Sequence, residues 1–288
     1  MEEILALTYI RKIVDYVKME HTLFDLPFVW SGAVIAAHGF YPVWKFLIIT
    51  LAAICARTAA MSLNRIEGLR YDRINPRKKE WPLVTGEIPV RSALLITIVA
   101  ASVFEVSTYL LNGLVFLLSP IILFLFLTDP LLKRITAWRH LYMGLTIGVG
   151  TLGGYLAVTP VFPSSPEIYL VFLASSLWIA GFDMIYVIPD IEFDKSNGLK
   201  TVMSRFSLRK GLFLSSMTHV IAGTMFVFLY FYIMTPVYLI ALLIILSLIV
   251  VQHLILNPSD ARSVRASFLG ANSFIGLIFL VGVLISQG

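Results

Sequence analysis

Apolar residues run along this chain in stretches of about twenty, the length that a ~30 Å hydrocarbon core demands of a helix. Nine such runs can be marked, at about 22–39, 43–65, 91–111, 113–131, 141–161, 167–188, 210–232, 235–256 and 264–286. Most charged residues fall in the connections between them, with a few, such as Arg57, Glu105 and Asp183, inside the runs. Because backbone groups in lipid must be satisfied within the segment, runs of this kind predict α-helices. The expected fold is an all-α, polytopic membrane bundle of about nine transmembrane helices around a central cavity.

The connections alternate in character. Arg11, Lys12 and Lys18 precede the first run, and Arg70, Arg73, Arg77, Lys78 and Lys79 follow the second. Lys133, Arg134 and Arg139 follow the fourth; Lys195, Lys200, Arg205, Arg209 and Lys210 the sixth; Arg262 and Arg265 the eighth. The connections near 40, 112, 163 and 234 are short and almost free of Lys and Arg. The positive-inside rule therefore predicts a multi-pass cell-membrane protein with its N-terminus and basic loops in the cytoplasm and its C-terminus outside. Residues 1–288 read as one domain. Two similar four-helix halves, about 1–139 and 140–258, are expected, with a final helix added.

Composition agrees. Of 288 residues, 58% are hydrophobic and only 14% charged, against roughly 25% charged in soluble domains. The mean hydropathy is +0.87. The net charge of +5 follows from loop topology and gives no reason to expect a nucleic-acid partner. A single cysteine, Cys55, excludes an intrachain disulfide and a cysteine-based metal site. The opening MEEILALTYIRKIVDYVK reads as an amphipathic charged segment and not as a cleavable signal.

Candidate chemistry sits where apolar runs end in acids. In YVIPDIEFDKSNGLK (186–200), Asp190 and Asp194 are four apart and share a helix face. In NRIEGLRYD (64–72), Asn64 and Asp72 are eight apart, again on one face. Carboxylates at such places are expensive unless they face a wet cavity or bind a cation. Mg²⁺ favours carboxylate and carbonyl oxygens and commonly bridges them to a phosphate. Asn64, Glu67, Asp72, Asp190 and Asp194 are thus candidate metal ligands. The first group also reads as a polar helix end pairing with Arg70, Arg73 and Arg77. Asp183, about two turns before Asp190, reads as a functional group or as a buried acid bonded to a neighbouring helix. Pro189 is expected to bend or loosen the helix there, freeing backbone carbonyls near the acids. Tyr186, Arg70, Lys133, Arg134, Lys195 and Lys200 are candidates for substrate contact, with positive-inside topology the alternative for the basic ones. Asp129 and Pro130 read as a helix stop. His140 reads as an interfacial hydrogen-bonding residue. Lys18, Glu20, His21 and Asp25 read either as a rim of the same cavity or, the favoured reading, as an interfacial anchor. The 20 Phe, 12 Tyr and 5 Trp include rings able to steady a carbocation.

The paired motifs resemble those of UbiA-type intramembrane prenyltransferases. The first motif of the family maps to Asn64, Gly68 and Asp72, and the second to Asp183, Asp190 and Asp194, followed by the family-like Gly198 and Lys200. NPRKKEWPLVTGEI (75–88), LLKRITAWRH and the opening KMEHTLFDLPF are similar to further family segments. Two positions depart. Gly68 stands where the family has Asp, with Glu67 beside it as a longer substitute, which leaves the number of metal ions open. Trp81 stands where Arg is usual.

The resemblance implies an Mg²⁺-dependent transferase. An isoprenoid diphosphate donor gives its prenyl group to an aromatic acceptor, 4-hydroxybenzoate or a related quinone precursor. Asp183, Asp190 and Asp194 are the implied catalytic acids. A glycerol-phosphate ether lipid is the alternative acceptor. A cation-coupled transporter with intramembrane acids is the alternative from another class.

Overall fold

The computed structural model describes residues 12–19 and 22–288, apart from the side chains of Leu23 and Ala271. The expectations for Arg11, Glu20 and His21, and for the opening segment to residue 11, lie outside the described residues.

The described chain is helical, with no strand among the described residues. Nine long helices follow one another: α1 (Thr22–Ala37), α2 (Val43–Asp72), α3 (Val90–Leu111), α4 (Gly113–Ile135), α5 (Arg139–Val158), α6 (Glu167–Tyr186), α7 (Leu208–Ile233), α8 (Pro236–Leu254) and α9 (Asn272–Gln287). The last continues a short helix, Ala261–Ala266, through a π-helical turn at Ser267–Ala271. Eight of these helices, α9 counted with its lead-in, are long and apolar enough to cross a membrane. The ninth, α1, has 16 residues. At 1.5 Å per residue it rises about 24 Å, somewhat less than a bilayer core.

Three boundaries differ from the sequence pattern, each for a local reason. Helix α2 continues two turns past its apolar run, to Asp72, because its polar face looks into a cavity and not into lipid. Helix α4 does not stop at Asp129–Pro130 but runs on to Ile135. Pro130 lacks only its own N–H, and the buried Asp129 is held by Arg139 on the next helix. Helix α6 ends at Tyr186, and a 3₁₀ turn, Ile188–Asp190, leads into the short helix Ile191–Ser196. Pro189 lies within that turn, so what the sequence led one to expect as a bend is a full break.

Helix α6 is the axis of the bundle. It packs between α5 and α7, and its middle is almost wholly buried. The α5–α6 contact is close because Gly144 and Gly148 face Ser176: a Cβ at either would lie 2.2 Å from the Ser176 carbonyl oxygen or 2.0 Å from its Oγ. Gly32 and Gly154 bring α1 equally close to α5. With little hydrophobic drive between helices in lipid, such small-residue seams set which faces meet. Beyond α6 a core of Phe28, Trp178, Phe226, Tyr238 and Phe279 joins α1, α6, α7, α8 and α9. On the other side, α1, α2, α4, α5 and α6 leave a space between them.

Candidate active site

That space is a cavity of about 570 Å³. Its mouth is polar, its body apolar. The mouth takes Asn64, Glu67 and Asp72 from α2, Lys133 and Arg134 from α4, Tyr186 from the end of α6, and Asp190 beyond it. It is completed by Arg77, Lys78 and Trp81 from the loop after α2. The two acidic segments, more than a hundred residues apart, therefore meet.

Each mouth acid is matched with a cation. Lys78 Nζ lies 2.7 Å from Asp72 Oδ1, Arg77 pairs with Asp190, and Lys133 Nζ lies 2.8 Å from Asp194 Oδ1. The loop is built to present these cations. Asn75 Oδ1 accepts from Arg77 N at 3.0 Å and starts a 3₁₀ turn with Pro76 at its first position. Asn75 Nδ2 also donates to Asp190 Oδ1 at 3.0 Å, tying the loop to the second acidic segment. Trp81 packs beneath: the Arg65 guanidinium lies 3.6 Å and Lys78 Nζ 4.6 Å from its ring centre. The left-handed Gly86 (φ 83°) then turns the chain toward α3. Burial pushes the Lys78 ammonium below its ordinary range, against the pull of Asp72. It pushes the Asp194 carboxyl up, against the pull of Lys133.

Further in, a second network is carried wholly by helices. Arg139 Nη2 lies 3.3 Å from Asp129 Oδ2, and Arg139 Nη1 lies 3.5 Å from Asp183 Oδ2. Asp183 Oδ2 is also 2.6 Å from His140 Nδ1. Asp129, Arg139 and Asp183 line the cavity, and His140 is buried behind them. An aromatic wall stands beside this network. Tyr186 and Phe268 have ring centres 4.6 Å apart, Phe182 and Phe268 5.3 Å, Phe24 and Phe268 5.9 Å, and all four rings face the cavity.

The residues singled out in the sequence divide into two sets. Asn64, Glu67, Asp72, Lys133, Arg134, Asp183, Tyr186 and Asp190 line the cavity. Asp194 is fully buried just behind Lys133. Three others point elsewhere. Arg70 is exposed, near the ring of Tyr71. Lys195 pairs with the exposed Glu192 at 3.1 Å. Lys200 Nζ donates to the Ile135 carbonyl at 3.0 Å, closing the end of α4. Glu67 reaches toward Arg134, 3.9 Å away. Asn75, Lys78, Asp129 and Arg139 belong to the site without having been candidates. The run NPRKKE carried a signal for Lys78, since basic residues just after an acid-bearing helix are placed to meet a phosphate. Asp129 and Arg139 could be recognised only once α4 was seen to continue past Pro130.

Among the described residues no three His, Cys, Asp or Glu side chains converge as a ready-made ligand set. The donors at the mouth are nevertheless hard oxygens, the kind that suits Mg²⁺. Asp194 Oδ2 is buried with no hydrogen-bond partner. A Cβ on Gly68 would stand 3.3 Å from Asp72 Oδ2, so position 68 faces the same group of acids. The donor set therefore fits a hard cation.

The chain is 29% identical over 171 residues to the 4-hydroxybenzoate octaprenyltransferase of Francisella tularensis subsp. novicida (strain U112), a match spanning 59% of this chain and 60% of that protein. Among solved structures it resembles the apo structure of a UbiA homolog from Aeropyrum pernix K1, with a TM-score of 0.83, 30% identity and coverage of 92% of this chain and 98% of that one. The fold is shared with a UbiA homolog from Archaeoglobus fulgidus bound to GPP and Mg²⁺, at a TM-score of 0.73, 17% identity and coverage of 96% and 99%. The sequence profile of the UbiA prenyltransferase family matches residues 26–279; with the two acidic motifs joined at one cavity, this chain belongs to the UbiA prenyltransferase family.

Proposed function

We propose that the chain transfers a prenyl group from an isoprenoid diphosphate to an aromatic acceptor of the quinone-precursor kind, the acceptor of the matched relative being 4-hydroxybenzoate. The observation that carries this reading is the division of the cavity. Acids and cations from two remote segments crowd its mouth, and an apolar, ring-lined chamber lies behind them.

The donor's diphosphate lies at the mouth. Lys78, Arg77 and Lys133 turn from their acids toward phosphate oxygens, which ammonium and guanidinium groups bind through charge-assisted hydrogen bonds. Asn64, Asp72 and Asp190, with Glu67 and Asp194 near them, would hold Mg²⁺, which would supply positive charge against the departing diphosphate. The basic side chains add to that stabilisation where the charge develops. The allylic C–O bond breaks, its electron pair leaving with the diphosphate. The faces of Tyr186, Phe182 and Phe268 offer the allylic cation electron density, and the dry chamber keeps water from it. The acceptor ring forms the new C–C bond. The proton it loses passes to Asp183, whose carboxylate is oriented by His140 and Arg139. Orientation follows the loop charges: the mouth and the N-terminus face the cytoplasm.

Mass spectrometry of products tests the reading. Purified protein is supplied with Mg²⁺, geranyl or longer diphosphates and a panel of aromatic acceptors, and a prenylated product is expected that disappears with excess EDTA. Undiminished product with EDTA present contradicts metal-assisted ionisation.

A further inference from the structure

The aromatic wall of the cavity centres on one ring. Phe268 lies 4.6 Å from Tyr186, 5.3 Å from Phe182 and 5.9 Å from Phe24, centre to centre. The other three rings are carried by the long helices α1 and α6. Phe268 sits in the π-helical turn Ser267–Ala271, just ahead of α9.

The turn has a reason in the sequence. Buried positions before it include Val264, Ser267 and Phe268; along α9 they include Asn272, Ile275, Gly276 and Phe279. Run together as an α-helix of about 3.6 residues per turn, the two stripes would point roughly a fifth of a turn apart. A π turn, closed by i→i+5 bonds, holds an extra residue and takes up that difference, so both stripes face the core. Such turns are rare and need support. Here the support is Asn272, whose side chain is fully buried. Asn272 Nδ2 donates to the Phe268 carbonyl at 2.8 Å, and Asn272 Oδ1 accepts from Trp178 Nε1 on α6 at 2.9 Å. A single carboxamide thus ties the backbone of Phe268 to the axial helix. Ser267 Oγ holds the other side of the turn, donating to the Gln252 carbonyl on α8 at 2.8 Å. An amide on the buried stripe of a membrane helix is costly unless both its ends are bonded, and here both are.

We infer that Asn272 is a positioning residue for the transfer step: by pegging the π turn to Trp178 it sets the Phe268 ring against Tyr186 and Phe182, and so governs how the allylic cation is divided between acceptor and water. This rests on the prenyl-transfer reading and goes beyond it. Without the Asn272 amide the turn relaxes toward an α turn, and Phe268 swings away from Tyr186. The wall then loses a ring face that attracts a cation and opens a gap for water. Water forms a C–O bond to the allylic carbon and loses one proton, so the prenyl alcohol replaces the prenylated ring.

The test reads ring position and product partition on the full chain in detergent. A 4-fluorophenylalanine in place of Phe268 reports ring position by ¹⁹F NMR, because the neighbouring rings shift its resonance. Asn272→Leu is expected to move that resonance. With geranyl diphosphate, Mg²⁺ and the panel of aromatic acceptors, it is expected to lower the ratio of prenylated product to geraniol about tenfold. The KM for the donor, set at the mouth, should stay within about twofold. Phe268→Leu should lower the ratio to a similar degree, and Asn272→Leu added to it should lower it no further, as when one residue acts through another. Should Asn272→Leu fail to fold, Trp178→Phe removes the indole donor alone and is expected to move both readouts the same way by a smaller factor. Tyr238→Phe loses a buried hydrogen bond to the Phe226 carbonyl in the same core, and should lower the melting temperature without moving the ratio. An unmoved resonance or an unmoved ratio overturns the inference, as do additive losses in the double variant or an equal fall in Tyr238→Phe. A moved resonance, with neither prenylated product nor geraniol formed by the unsubstituted protein, counts instead against prenyl transfer and leaves the hold of Asn272 on the ring standing.

Discussion

The cavity holds two sets of buried ion pairs that look alike in a contact map and differ in how they are built. At the mouth, Asp72, Asp190 and Asp194 pair with Lys78, Arg77 and Lys133. Two of those cations come from the loop after α2, and the Arg77 side chain is 34% exposed. Inside, Asp129, Arg139, Asp183 and His140 are all carried by α4, α5 and α6, and Arg139 is only 8% exposed. The mouth pairs can open, since a long basic side chain on a loop can exchange a carboxylate for a phosphate. The inner network cannot open without leaving a charge unpaired in a dry place, which is strongly destabilising. The difference separates groups that bind and release a ligand from groups that hold a fixed geometry beside it.

Substitution at the mouth is expected to give the largest effect on turnover and little on folding. Asp190→Asn keeps the shape and the bond to Asn75 but removes the charge that holds Arg77 and that a metal ion needs. Product formation should fall by about 10³-fold, the scale seen when a main electrostatic group is removed, with the melting temperature almost unchanged. Activity within tenfold of the unsubstituted protein would remove Asp190 from the machinery. Asp183→Asn reverses the emphasis. It strips Arg139 and His140 of a shared counter-ion, and the expected loss is about 3 kcal/mol of stability, the lower end for breaking a buried pair. A clear drop in melting temperature should accompany the loss of activity. An unchanged melting temperature would mean that the two networks are not distinct in kind.

How far the sequence disclosed this contrast can be judged residue by residue. The nine runs were legible because lipid imposes length and apolarity on every span, and the observed helices follow them closely. Pro189 signalled a bend, and the structure goes further, ending α6 at Tyr186 and setting Asp190 outside it. Pro130 looked the same on paper and does not break α4. What separates them is tertiary: Asp129 is pinned by Arg139 from α5, and a one-dimensional pattern does not record which helix lies opposite. Lys195 and Lys200 were plausible phosphate ligands by spacing. Lys195 lies on the exposed side of the short helix beside Glu192, and the turn at Gly198 carries Lys200 to the end of α4. Asp25 read as an interfacial anchor because its neighbours are aromatic. The alternative, a rim of the same cavity, is the one the structure favours: Asp25 lines the cavity wall and pairs with Arg57 on α2.

A smaller effect is expected where the mouth departs from the family pattern. Gly68 faces Asp72, and Asp at 68 would add a carboxylate to a mouth whose acids and cations now roughly balance. Gly68→Asp is expected to lower the Mg²⁺ concentration needed for half-maximal turnover by several-fold, as added ligand charge raises affinity at oxygen sites. The measurement is a Mg²⁺ titration of product formation at fixed donor. A higher Mg²⁺ requirement would place position 68 against the metal and not beside it, because crowding at 3.3 Å from Asp72 would then outweigh the added charge.

The smallest expected change concerns Trp81. Its ring lies 3.6 Å from the Arg65 guanidinium and 4.6 Å from Lys78 Nζ, where the family usually places another arginine. The ring cannot bind phosphate, but it attracts two cations with its face and so steadies the loop that carries Arg77 and Lys78. A cation–π contact of this kind contributes about 0.5–1 kcal/mol, and two of them sharing one ring contribute less than twice that. Trp81→Ala should therefore raise the KM for the diphosphate donor by about two- to fivefold and leave kcat nearly unchanged, since binding is weakened without any loss specific to the transition state. Trp81→Arg separates the two ways of filling this position. If Trp81 acts only by holding Lys78 in place, arginine there repels Lys78 and KM rises as it does for alanine. If the position lies within reach of the phosphates, the added guanidinium lowers KM below that of the unsubstituted protein. A fall in kcat of tenfold or more in Trp81→Ala would contradict both and would move the loop from the binding side of the contrast to the chemical side.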